Sequence, residues 1–127
     1  MDKGKFVDIV IGEEENSYEG MLWVGCVLRN RGTLEGAYGF RSPRVRNHLY
    51  SSKSFVMAVR AYEESEHKDV TGGCIHWWSD QDLRLPTVQR IIRKERLVFV
   101  KRIGGEFGNN FFRKARKHKS SSVRGKK

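Results

Sequence analysis

Apolar residues recur at helical spacing through the first half of the chain and in short extended runs through the second. Phe6, Ile9 and Val10 form a stripe with Glu13 one turn further on, which predicts a first helix over residues 6–15. Asn16 stands three residues before Glu19, a capping-box variant that opens a second helix. Met21, Val24, Gly25 and Leu28 carry that helix from Tyr18 to Arg31 with one buried face, and Gly32 suits its end. Residues 32–50, with Gly32, Gly36, Gly39 and Pro43 and then Arg44, Arg46 and His48, read as an irregular loop. Ser52 or Ser54 caps a third helix reaching Glu64, with Phe55, Ala58, Val59 and Tyr62 facing inward.

Past the turn at Thr71-Gly72-Gly73 the period changes. Cys74 to Trp78 reads as an aromatic strand, Arg96 to Lys101 as a second, and Glu106-Phe107 to Phe111-Phe112 as a third. Gly104-Gly105 and Gly108-Asn109 supply the turns. Helices followed by strands in 127 residues predict one α+β domain with a small antiparallel sheet.

Composition adds little until charge is considered. Apolar residues at 38% and charged ones at 31% are ordinary for a water-exposed domain, and no apolar run approaches the ~18 residues of a membrane span. Phe6 to Ile11, interrupted by Asp8, is too short for a secretory segment, so no export signal is expected. The net charge of +10 is uneven: eight of the 25 basic residues and none of the 15 acidic ones fall in residues 113–127. The chain thus divides into a nearly neutral body, 1–112, and a basic tail, 113–127. Such a tail suits an anionic wall polymer, a membrane or nucleic acid, and equally suits a solvated end. Cys26 and Cys74 are expected to be buried and reduced. His48, His67, His76 and His118 are scattered without zinc spacing, so neither metal nor cofactor is expected.

Glu13 closes a helix directly after Gly12 and precedes Glu14 and Glu15. Glycosidic cleavage needs a carboxylic acid that is still protonated near neutral pH, and apolar walls or neighbouring carboxylates provide that by raising its pKa. Three glutamates at a helix end are, by themselves, ordinary solvated surface.

Three ordered stretches add to this. The first is Ile11-Gly12-Glu13 with Tyr18-Glu19-Gly20-Met21 and Val24 to Arg31; the second is Asp69-Val70-Thr71-Gly72-Gly73-Cys74-Ile75-His76-Trp77; the third runs from Ile103-Gly104 through Phe107-Gly108 to Arg113. Together they span about residues 7–113. They resemble the Gly-Glu turn, the helix ending in Asn-Arg, the Thr-Gly-Gly stretch and the closing strand of the spore-cortex-lytic cell wall hydrolases and related phage endolysins. The turn before Tyr18 is one residue shorter than that pattern, which leaves Glu14 as an alternative register for the acid. Ser79-Asp80 replaces a common Asn-Pro, Cys74 replaces an alanine, and residues 33–52 depart most.

The resemblance implies a compact lysozyme-like α+β fold; separately, the chain is expected to act as a monomer. The resemblance also implies cleavage of peptidoglycan glycan strands between N-acetylmuramic acid and N-acetylglucosamine, with Glu13 as general acid and then base. Closure of an anhydro ring by the muramic C6 hydroxyl would make the protein a lytic transglycosylase. Hydrolysis would need a second carboxylate, for which Asp69, Asp80 and Asp82 are candidates. Tyr18, Thr71, Gly72, Gly73, His76 and Trp77 are the substrate-binding candidates, each with a structural reading beside it: a staple, a tight turn, or core packing. A lysin released from a host cytoplasm by a holin, or carried in a virion, fits a chain without an export signal. Two other classes remain open. One is a nucleic-acid-binding protein using the tail with Trp77, Trp78 and Phe112 as stacking platforms; the other is an inactive structural relative in a virion.

Overall fold

A computed structural model describes residues 1–14 and 17–116. Two largely buried helices form its centre. Helix α1 spans Lys3–Glu13; Asp2 caps it, accepting from the Lys5 N–H at 3.0 Å. Its start lies three residues before the expected Phe6, because Asp2 provides an N-cap that the apolar stripe does not reveal. Phe6, Val7, Ile9, Val10 and Ile11 are all buried, so α1 is enclosed on most sides. Helix α2 spans Tyr18–Arg31, as expected, and Gly32 ends it in the left-handed region at φ 73°. Its cap is Ser17, whose hydroxyl accepts from the Gly20 N–H at 3.0 Å, in place of the expected Asn16, which lies outside the described residues.

Residues 32–50 are more ordered than the loop expected from their glycines. A 3-10 turn, Gly39–Arg41, is followed by the one-turn helix α3, Pro43–Arg46, capped by Ser42. Helix α4, Ser52–His67, is capped by Ser51 and runs one turn past the predicted Glu64. It buries Ser54, Ala58, Ala61 and Ser65, while the expected core residue Phe55 is 47% exposed. Small side chains line that face because α4 packs closely on α2: a Cβ added at Gly25 would lie 3.2 Å from the Ser65 hydroxyl. Val59 and Tyr62 flank the core as anticipated.

The strands are β1, His76–Ser79, β2, Leu97–Ile103, and β3, Asn109–Lys114, in the antiparallel order β1-β3-β2. Each is shifted by one to three residues from its predicted bounds. The last strand takes in Arg113 and Lys114, so the sheet extends into the segment assigned to the basic tail. Residues 117–127 of that tail lie outside the described residues. Helices α5, Asp80–Leu83, and α6, Pro86–Lys94, stand between β1 and β2. The mixed fold is as expected: N-terminal helices, then a small three-stranded antiparallel sheet in one compact domain.

Register gives the sheet two distinct faces. Trp77 pairs with Phe111, and Phe111 meets Trp23 of α2 edge-on at 5.2 Å, so this face joins the helical core. His76, Phe112 and Phe99 form a cross-strand row on the other face, with Trp78 stacked on His76 at 4.9 Å. Cys26 and Cys74 are both free and buried. Among the described residues no helix is long and apolar enough to cross a membrane.

Candidate functional site

The C-terminal end of α1 is held by groups distant in sequence. Arg44 of α3 donates to the carbonyls of Ile11 at 2.9 Å and Gly12 at 3.2 Å, partnering acceptors that a helix end leaves free. A guanidinium here also suits the negative pole of the helix. Gly12 lies against the 3-10 turn so tightly that a Cβ on it would come within 1.9 Å of the Gly39 carbonyl oxygen. A Cβ on Gly39 would in turn come within 3.0 Å of the Glu13 side chain. Two facing glycines thus let the turn close over the helix end and wall the carboxyl on one side.

Glu13, half-buried, accepts a hydrogen bond from the Trp77 indole N–H at 3.2 Å. Burial pushes its carboxyl above the usual glutamate range; the Trp77 bond opposes this, the Asp82 charge adds to it and the Arg44 charge opposes it. Glu14 is buried and accepts from the Asn109 side-chain amide at 2.7 Å. Burial is again the main cause that lifts its carboxyl, here to about 7; Asn109 opposes that shift and the Glu13 charge reinforces it. Glu14 also occupies the space a side chain at Gly20 would need, since a Cβ there would meet Oε1 at 2.2 Å. Of the alternative registers for the acid, Glu15 lies outside the described residues.

Glu13 borders two clefts. One, of about 450 Å³, is shared with Glu14, Ser17, Arg44 and the β2–β3 connection at Gly104 to Phe107. The other, of about 510 Å³, is also lined by Tyr38, His76, Trp78, Asp82 and by Val88 and Ile91 of α6. A carboxyl with a raised pKa between two open clefts can donate a proton to a group bound across them.

The structure brings three of the predicted site residues together: Glu13, His76 and Trp77. Trp77 supports the acid directly, whereas His76 lies in the cleft wall with its Nε2 3.1 Å from Glu95 Oε1. The other candidates stand elsewhere. Tyr18 turns toward α4, donates to Glu64 and carries the Arg60 guanidinium over its ring at 5.1 Å. Thr71 is buried, and Thr71-Gly72-Gly73 form a turn around Asp69 that lines neither cleft. Asn30 ties that turn to α2, donating to Asp69 at 3.1 Å and to the Cys74 carbonyl at 2.9 Å.

The three candidates for a second carboxylate separate just as clearly. Asp80 is paired with Arg102 at 2.6 Å; that bond and one from Asn110 hold its pKa well below the usual range. Burial would raise Asp69, but hydrogen bonds from Thr71, Asn30 and Gly73 outweigh it and leave the pKa lowered. Asp82 shares a cleft with Glu13. Phe112, a candidate stacking platform for nucleic acid, is buried between Trp78 and Phe99. Among the described residues no three of His, Cys, Asp and Glu gather into a metal site.

Arg44, Gly39 and Asn109, which shape the acid's surroundings, carry no local signal of that role in the sequence. Each comes from a distant segment, and Asn109 resembles any other turn asparagine in a linear reading. No protein-family model, curated protein or solved structure matches the chain.

Proposed function

We propose that this protein cleaves peptidoglycan glycan strands between N-acetylmuramic acid and N-acetylglucosamine, with Glu13 as general acid and then base. One observation carries the reading: the half-buried Glu13 carboxyl, bonded to Trp77, stands between two open clefts with its pKa raised. A glycan strand lying across both clefts would present one glycosidic oxygen to that carboxyl. Glu13 gives its proton to the leaving O4 of N-acetylglucosamine as the muramic C1–O bond breaks. The resulting carboxylate then takes the proton from the muramic C6 hydroxyl as that oxygen bonds to C1. This closes an anhydro ring and restores the acid. Glu13 fits the role better than Glu14, because Glu14 is buried and bonded to Asn109.

Hydrolysis is the second reading, favoured by Asp82 in the Glu13 cleft, where it could activate a water. A lysin acting after release from a host cytoplasm or from a virion is the setting we propose for either chemistry.

Clearing of purified cell walls tests the proposal. Glu13→Gln keeps the shape of the side chain but has no proton to donate, and clearing should fall by about 10²-fold or more. Equal clearing by the variant overturns Glu13 as the acid, and no clearing by the wild type overturns the function. Mass spectrometry of the products separates the chemistries, since an anhydro end is one water lighter than a hydrolysed one. Asp82→Asn should spare the anhydro-forming reaction and abolish the hydrolytic one.

A further inference from the structure

We infer that Phe107 is a substrate-stacking platform, an exposed aromatic face on a braced backbone that receives a pyranose ring of the glycan strand on the hairpin side of Glu13. The inference rests on the glycan-cleaving reading above and adds to it a binding residue that sequence reasoning left unassigned.

Phe107 is 88% exposed, more than any other large apolar side chain among the described residues. It sits in the β2–β3 connection and borders the same cleft as Glu13 and Glu14. A single exposed apolar residue is ordinary on a floppy loop, but this connection is braced. Arg102 donates to the Gly104 carbonyl at 2.9 Å and to the Gly105 carbonyl at 2.6 Å. Its guanidinium is held by Asp80 through contacts of 2.6–3.2 Å. Asp80 accepts from Asn110 at 2.8 Å, and its own N–H donates to the Gly108 carbonyl at 3.1 Å. Gly108 lies flat on the guanidinium, where a Cβ would come within 2.5 Å of Cζ. Three elements, α5, β2 and β3, thus fix the backbone on both sides of a ring that packs against almost nothing.

That combination suits a ligand with one apolar face. The axial C–H groups of a pyranose make such a face, and stacking it on the ring removes both from water. A braced backbone and a side chain with two torsions lose little freedom on binding. Glu106 lines the same cleft and offers acceptors for sugar hydroxyls at the edge of the platform.

The test is steady-state cleavage of soluble, stem-peptide-free glycan strands by the full chain, comparing wild type, Phe107→Ala, Phe107→Trp and Arg102→Ala. Phe107→Ala should raise KM by about tenfold, as expected for one lost aromatic face, with little change in kcat and in thermal unfolding. Phe107→Trp should restore KM. Arg102→Ala keeps the ring but frees the loop, and should raise KM by a smaller factor. An unchanged KM in Phe107→Ala overturns the platform while the catalytic reading stands, as does a drop confined to kcat. Absence of cleavage by the wild type overturns both.

Discussion

The end of α1 and the turn at Asp69 both place carboxyls beside glycines at the edge of an element, and they treat them in opposite ways. Asp69 is saturated with donors: the Thr71 N–H at 2.8 Å, the Thr71 hydroxyl at 2.6 Å, the Gly73 N–H at 2.8 Å and the Asn30 amide at 3.1 Å. Glu13 meets the Trp77 indole at 3.2 Å, and Glu14 meets the Asn109 amide at 2.7 Å, in surroundings that strip away water. The pKa shifts follow, down for Asp69 and up for both glutamates. Donors convert a carboxylate into a fastener that stays ionised, whereas burial with few donors keeps a proton available. The Thr-Gly-Gly motif therefore marks a fastener in this fold, and the carboxyls that hold a proton more readily stand at the end of α1.

The largest test of this contrast is Asp69→Ala. It leaves four donors without their acceptor, two of them part-buried at Thr71, and should cost about 3 kcal/mol in urea unfolding. Because the folded pKa of Asp69 is lowered, its contribution is present above the unfolded pKa and is lost as pH falls through the folded one. The variant should therefore show a flatter acid limb, with kcat unchanged well below its unfolding temperature. A stable variant that has lost cleavage would invert the contrast.

Glu14→Gln probes the other side with a smaller effect. The Glu14 carboxyl is raised from 4.5 to about 7, so the folded state binds the extra proton in that window. Wild-type stability should then fall as pH rises from 4.5 to about 7 and level off above it; the full shift corresponds to about 3 kcal/mol, which solvent screening from the adjoining cleft lowers to about 2 kcal/mol. Glutamine removes the charge without changing the volume, so the variant should unfold at higher urea than wild type at pH 8 and match it near pH 4. A variant less stable than wild type at pH 8 would mean that the charged form is the one the fold favours.

Helix α2 was legible because its signals are local: apolar residues three and four apart, then Gly32 where a left-handed residue is needed. The β2–β3 hairpin was legible from its glycines for the same reason. Helix α6 had comparable signals in Pro86 at its first turn and Val88, Ile91 and Ile92 on one side. Four basic residues across Arg84 to Lys94 obscure that stripe, and its partner face, the aromatic row of the sheet, is invisible until the strands pair. Three consecutive glutamates cannot be told apart by composition. What distinguishes Glu14 is Asn109, 95 residues away, and what shapes the space around Glu13 is the close pairing of Gly12 with Gly39.

The smallest effect belongs to Tyr18, which its place in the ordered motif suggested for the substrate and which the fold turns toward α4. Its hydroxyl donates to Glu64, a carboxylate also bonded to Lys68 at 2.5 Å. Burial and that bond raise the phenol to about 12, so it remains a neutral donor throughout the working pH range. Tyr18→Phe removes one hydrogen bond and keeps the ring beneath Arg60, so it should cost about 0.5–1 kcal/mol of stability. KM and kcat should be unchanged, because the ring lines neither cleft beside Glu13. A raised KM would extend the glycan path past Ser17 onto the flank of α4. The donor-rich half of the molecule would then touch substrate after all, and the contrast between fastener and proton donor would hold for Asp69 alone.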